Sequence, residues 1–469
     1  MAHSVPVGFH ARVSLALQDR QLRTALDRAT SHLARERSAA LAELPDADAL
    51  RERARAIRAA TLRELPLHLS RFEAAVCEAG GQVHWARDAA EACAVVCGIA
   101  GRHGARRVVK SKSMLSEEIG LNHALEAKGA VVIESDLGEY IVQLAHETPS
   151  HIIAPAFHKT REQIGQLFHE KLGMPLTHDP ARMTAAARAR LREVYLTADM
   201  GVTGVNFGVA ESGTLALVTN EGNASLSMSA PPLHVALMGI ERVVPTLAEL
   251  SVLLRLLARS ATGQKLSVYT DLITGPRRGQ PDGPEELHVV LVDNGRARAL
   301  ASELAEILLC IRCGACLNSC PVYGEIGGHA YGSVYSGPVG AVLTPALFGL
   351  PAWRELPYAS SLCGACRDVC PLRIDIPRLL LALRAQAVRG RQRSLGVRLL
   401  MRAYRALATR PRLFRLAEGV GRALSRLAPR GFFRHLPPPL SRWTAERDFP
   451  AFAPRPFSAL HAERRRARR

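Results

Sequence analysis

Seven of the chain's ten cysteines fall between residues 310 and 370, and they constrain the fold more than any other feature. Cys310, Cys313, Cys316 and Cys320, followed by Pro321, have the spacing C-x2-C-x2-C-x3-C-P of bacterial iron–sulfur proteins. Two-residue gaps let one turn aim three thiolates at three corners of a cluster, and the proline redirects the chain. The fourth cysteine of such a run ligates the other cluster in two-cluster ferredoxins. By that rule Cys310, Cys313, Cys316 and Cys370 hold one cluster, and Cys320, Cys363 and Cys366 hold a second. The motifs are 42 residues apart, far more than in a compact two-cluster ferredoxin, which predicts a helical ferredoxin module.

The second motif, "SSLCGACRDVCP", lacks its first cysteine: Ser360 stands there. The second cluster is then a three-iron cluster, or a four-iron cluster whose last iron takes Ser360, water or an outside ligand. A serine before a helix-like turn also serves as a cap. Zinc is the competing metal for paired C-x2-C knuckles, but seven cysteines with these spacings and both trailing prolines favour iron–sulfur. No C-x2-C is followed by His, which excludes c-type haem. Cys93 and Cys97 sit four apart on an apolar helix and read, with Cys77, as core residues.

Around the motifs the pattern divides the chain. Residues 1–80 are helical, as in "LRTALDRATSHLARERSAAL", and are part of an α/β domain or packed on it. Residues 81–297 alternate strand-like runs ("RRVVKS", "AVVIESD", "HIIAPA", "GTLALVT", "HVALMG", "LHVVLVD") with helical ones, which indicates a largely parallel sheet. Residues 298–390 hold the cysteines, with the helix "SELAEILLC" leading in. From Ile326 to Trp353 there is no charged residue; its glycines and prolines argue against a membrane span and for a packed wrapping loop. The helix-like "IPRLLLALRAQAVRG" closes the segment 298–390, and residues 391–469 are rich in Arg and Pro and end in "ERRRARR", expected to be disordered.

The net charge of +18 lies entirely in residues 381–469, which hold 22 Arg and four acids. Such a segment suits an acidic partner, an anionic membrane surface or nucleic acid. The low aromatic content (5%) argues against a nucleic-acid stacking platform, so no nucleic acid is expected. The N-terminus has no export signal, and reduced thiolates fit a cytoplasmic protein.

"SKSMLSEEIGLNHALEAKGAVVIESDLGEYIVQLA", "ADMGVTGVNFGVAESGTLALVTNEGNA", "TGPRRGQPDGPEELHVVLVDNGR" and "CIRCGACLNSCPVYGEIGGHAYGSVYSGPVGAVLTP" carry a resemblance to the lactate utilization protein B family over nearly the whole chain. The missing eighth cysteine is a trait of that family. The resemblance implies a lactate-utilization (LUD) domain of NagB/RpiA/CoA-transferase-like fold, a helical ferredoxin module with two four-iron clusters, and a family-specific C-terminal segment. It also implies action with two companion proteins in converting L-lactate to pyruvate.

The α/β domain carries no dinucleotide, Walker or H-E-x-x-H motif. The Gly-rich turn Gly201 to Thr214 and the lysines and histidine after strand-like runs (Lys110, Lys112, His158, Lys159) are its candidates for holding an anion. Two functions follow. One is an electron-transfer subunit; the other is a CoA-transferase- or isomerase-like enzyme with structural or regulatory clusters and Glu211 as nucleophile.

Overall fold

The computed structural model describes residues 8–277, 279, 282–390, 395–425, 431–438, 440–445 and 447–467. They fall into two compact units, Met1–Arg389 and Gly390–Arg469.

The first unit is built on a six-stranded, all-parallel sheet. In chain order its strands are β1 (Gln82–Ala86), β2 (Arg107–Lys110), β3 (Val131–Glu134), β4 (Met200–Gly204), β7 (Leu233–Gly239) and β10 (Glu286–Val292). In space the order is β1-β10-β7-β4-β2-β3. The central strands are apolar on both faces, as expected of a parallel sheet covered on both sides. Along β7 and β10, Ala236 and Val289 enter one core while Val235 and Val290 enter another. A second, four-stranded sheet combines β5 (Phe207–Val209), β6 (Thr214–Thr219), β8 (Val243–Val244) and β9 (Tyr269–Ile273) in the order β8-β5-β6-β9.

The expected segments 1–80, 81–297 and 298–390 share one continuous core. It runs from Leu26 and Leu50 in the N-terminal helices, through Met238 and Leu253, to Leu308, Tyr331 and Leu379. Helix Arg20–Ala42 packs against Leu247–Thr262 and against both short helices that follow the first cysteines.

Four expectations differ from the structure. "HIIAPA" forms bends rather than a strand. There the His151 ring accepts the backbone N–H groups of Ile153 (3.1 Å) and Ala154 (3.3 Å), which turns the chain locally. "SELAEILLC" holds a short 3-10 helix, Ala305–Leu309. The uncharged stretch contains an α-helix, Gly337–Phe348, buried from Gly337 through Leu347. A helix that is apolar all round belongs in a core, and Pro338 sits in its first turn, where the missing N–H has no partner to lose. In the second unit Phe457–Arg466 is helical rather than disordered; Ala, Leu, Glu and Arg favour that state. Residues 468 and 469 lie outside the described residues.

The second unit carries two amphipathic helices, Leu395–Ala408 and Pro411–Ser425, packed on each other.

Candidate metal centres

The two cysteine motifs share one local backbone. In the first, Arg312 has φ +60° and Gly314 has φ +74°; in the second, Leu362 has φ +57° and Gly364 has φ +89°. Positive φ is uncommon for non-glycine residues such as Arg and Leu, and its recurrence at matching positions shows that the two motifs adopt the same turn. Each turn leads into a four-residue helix, Ala315–Asn318 or Ala365–Asp368. These carry Cys316 and Cys366. Cys320 caps helix Pro321–Ile326, its Sγ accepting the Tyr323 N–H at 3.4 Å.

Ser360 takes the part of Cys310. The Arg312 N–H donates to Cys310 Sγ at 3.3 Å, and the Leu362 N–H donates to Ser360 Oγ at 3.1 Å. The side-chain atom two residues before each positive-φ residue is thus held the same way, sulfur in one motif and oxygen in the other.

The buried thiols feel the charges of their neighbours in two adjoining groups. Burial pushes Cys313 up to about 12, and the charges of Cys310 and Cys370 act in the same direction. Cys316 is raised well above its ordinary value by burial, then by Cys310, Cys313 and Cys370, with Cys366 adding to them. Burial raises Cys370 to about 11, and Cys310 contributes. In the second group, burial raises Cys366 to about 12, and Cys320 and Cys363 add to it. Burial also raises Cys320, with Cys363 adding. Burial thus works against the thiolate forms of Cys313, Cys316, Cys320, Cys366 and Cys370, and a positive metal would favour them.

The polar surroundings fit an anionic metal–thiolate group. Arg58, fully buried, donates to the carbonyls of Val243 (2.9 Å) and Leu308 (3.1 Å). Arg242 donates to the Cys310 carbonyl at 3.2 Å. Arg312 stacks over the Tyr335 ring at 5.0 Å and reaches Glu241 at 3.4 Å, while its buried Nη1 has no hydrogen-bond partner among the described residues. Arg296 closes the set with bonds to Glu241 (2.7 Å) and Glu118 (2.8 Å). Four buried guanidiniums therefore face two carboxylates, an excess of positive charge that is costly unless an anion lies beside it. Despite burial, Cys310 is the strongest influence raising Arg312. Burial works against the Glu241 carboxylate, yet Arg296, Arg312 and Arg242 hold it down at about 2.

The second motif is tied from the N-terminal helices. Arg51 donates to the carbonyls of Asp368 (2.6 Å) and Cys370 (2.8 Å), and Arg55 to those of Leu372 (2.9 Å) and Arg373 (3.1 Å). Arg37 donates to Val369 O.

The other sequence candidates are placed elsewhere. Lys110 is buried between Glu117 and Glu134, each 2.7 Å away, and His158 and Lys159 pair with Glu147. Glu211 Oε1 accepts the Leu247 N–H at 2.7 Å and caps the helix that begins there. The expected Gly-rich turn is largely strand, running through β4 and β5, and a Cβ on Gly201 within β4 would lie 1.6 Å from the Ser227 carbonyl, so that glycine serves close packing. Cys93 donates to the Ile119 carbonyl and packs with Cys97 on the second core; Cys77 is exposed. Lys112 lines a cavity of about 300 Å³ at the carboxyl ends of β2, β4 and β7. Arg242, Arg312 and Tyr335 also line it, so the cavity adjoins the first motif. Sequence reasoning missed these residues. The one available signal was a charged residue, Arg312, set inside a cysteine motif.

Three stretches match known families. Residues 69–292 match the LUD domain, 306–374 the 4Fe-4S dicluster domain, and 384–466 the C-terminal domain of Lactate utilisation protein B. The chain is 47% identical over 445 residues to "Lactate utilization protein B" of Bacillus thuringiensis (strain Al Hakam), covering 94% of both chains. The same values hold for the proteins of that name from Bacillus cereus (strain AH187) and Bacillus anthracis (strain A0248). A crystal structure of a duf162 family protein from Deinococcus radiodurans matches 49% of this chain and 98% of its own, at 15% identity and a TM-score of 0.28, which does not establish a shared fold.

Proposed function

The chain belongs to the lactate utilization protein B family, and on that footing we propose that it is the iron–sulfur electron-transfer subunit of an L-lactate-to-pyruvate oxidation complex. Family membership and the dicluster domain give it an iron–sulfur role in lactate utilization. The observation that carries the finer reading is the sorting of the seven thiols. Cys313, Cys316 and Cys370 each feel the charge of Cys310, and Cys320 and Cys366 feel that of Cys363, with Cys366 also acting on Cys316 where the two groups adjoin. Those are the ligand sets we assign to a first and a second [4Fe-4S] cluster, with Ser360 Oγ as the oxygen ligand completing the second.

Such clusters supply one-electron transfer. The protein's share is to exclude water from the first group and to offset its negative charge with Arg58, Arg242 and Arg312. We further assign the α/β domain to the NagB/RpiA/CoA-transferase-like fold. The competing transferase reading is disfavoured because Glu211, its nucleophile, is engaged as a helix cap. Oxidation of lactate removes two electrons, so a two-electron acceptor and companion subunits complete the reaction, the Arg-rich second unit being a docking surface for them. We place the protein in the cytoplasm, with peripheral membrane contact as a further role of that unit. No helix among the described residues is long and apolar enough to cross a membrane.

The test is anaerobic purification with iron and acid-labile sulfide analysis and electron paramagnetic resonance, on wild type and Cys313→Ser. Two clusters per chain, with lactate-driven electron flow lost in the variant, support the reading. Full electron flow in Cys313→Ser overturns it.

A further inference from the structure

Away from the cysteines, at the amino-terminal edge of the six-stranded sheet, three side chains from separate elements converge. His103 follows helix Ala89–Arg102, while Glu286 and His288 lie on β10. One ligand atom of each lies within 4.8 Å of the others. Glu286 Oε2 is 3.5 Å from His103 Nε2 and 3.4 Å from His288 Nε2. These separations are long for hydrogen bonds between imidazole and carboxylate. His288 is 1% exposed, and its buried Nε2 has no hydrogen-bond partner among the described residues beyond the long approach of Glu286. A buried ring nitrogen left unpaired beside a carboxylate calls for an explanation.

We propose that His103, Glu286 and His288 form a binding site for a zinc-class divalent cation. Ligands about 2.1 Å from a tetrahedral zinc lie about 3.4 Å from one another, which matches both separations. The site also has the outer support that metal-bound histidines need. His288 Nδ1 is 3.0 Å from His84 Nε2. With the proton on Nδ1 donated to His84, the Nε2 lone pair faces the site.

Two His and one Glu leave a fourth tetrahedral position. His103 and Glu286 are partly exposed, with side chains 34% and 42% accessible, so water fills that position. The cavity beside the cysteines lies at the opposite, carboxyl end of the strands, about 20 Å along β10 at 3.3 Å per residue. The cation is therefore separate from the electron path. It would tie the end of helix Ala89–Arg102 to β10.

The probe is zinc ion added at one equivalent to the anaerobic, cluster-loaded protein. Metal retained after dialysis is counted by mass spectrometry, and its ligands are read at the zinc edge by X-ray absorption. One zinc per chain in a shell of only nitrogen and oxygen near 2.0–2.1 Å is expected. His103→Ala and Glu286→Gln alter accessible side chains and should each weaken binding at least about tenfold, with iron content unchanged. A sulfur shell near 2.3 Å would place the zinc in the cysteine motifs and overturn the proposal. Failure to retain zinc, or equal retention in both variants, would also overturn it.

Discussion

The two cysteine motifs are built on one turn and differ in what the turn holds. In the first, Cys313 and Cys316 are buried, guanidiniums crowd the Cys310 side, and the leading ligand position is sulfur. In the second, Cys363 is exposed and the leading position is the Ser360 oxygen. The Ser360 carbonyl accepts from Arg384 at 3.1 Å, so the serine is fixed by its backbone as well as by Leu362. On the ligand sets proposed above, a shared backbone with unequal donors would give two centres of unequal lability: the first would suit a protected relay, and the second, with Cys363 exposed, the exchange of electrons with a partner.

The comparison fails most plainly if the centres are interchangeable. Replacing Cys313 with Ser should remove the first centre and abolish lactate-dependent reduction of an artificial acceptor. Cys363→Ser should retain the resonance signal of the first centre while losing that of the second. Loss of both signals in both variants would mean that the motifs fold as one indivisible site.

The charged shell around the first motif sets the next largest effect. Glu241→Gln leaves Arg296 and Arg312 short of a buried carboxylate and should destabilise the protein by about 3 kcal/mol, measured by denaturant unfolding of the cluster-loaded chain. Glu241 sits at about 2 in the folded state against an ordinary 4.5. A depressed carboxylate contributes its full stability above the unfolded value and loses it as pH falls through the folded one. The difference between wild type and Glu241→Gln should therefore be constant above about pH 5 and shrink progressively toward pH 2. A pH-independent difference would show that charge is not what Glu241 contributes.

A subtler contrast lies in the oxygen at Ser360. Iron held by oxygen is released more readily than iron held by thiolate. On exposure to air the second centre should lose one iron first and give a three-iron resonance while the first persists. Ser360→Cys should slow that loss several-fold, and Ser360→Ala should hasten it. Equal loss from both centres, unaltered by Ser360→Cys, would remove Ser360 from the ligand set. The smallest effect concerns docking: truncation after Gly390 should preserve iron content and weaken capture of companion proteins, most at low ionic strength. Iron loss on truncation would instead make the second unit part of the cluster fold.

The 4Fe-4S dicluster domain was legible because its cysteine spacing is local: three thiols aimed at one centre from one turn must be close in sequence. Parallel strands such as "HVALMG" and "LHVVLVD" were legible because burial on both faces leaves an apolar run. "HIIAPA" misled because the same composition serves a bend once His151 captures two backbone N–H groups. The buried helix Gly337–Phe348 was obscured by prolines and glycines that break exposed helices but are tolerated in a packed one. The guanidinium shell stayed hidden for another reason. Arg58, Arg242, Arg296 and Arg312 come from distant segments, and nothing in an isolated arginine marks it as buried.

The arginine straps impose an order on manufacture. Arg51 and Arg55 grip carbonyls 317 to 319 residues further along the chain. During synthesis the gripping helices emerge first and wait, their partners absent, until residue 373 has been made. Cys370, which we assign to the first centre, arrives at the same late stage. Metal delivered earlier would meet an open, three-thiolate site. The straps can close only behind a complete set of cysteines, so the earliest part of the chain acts as the latch on its last-formed ligand.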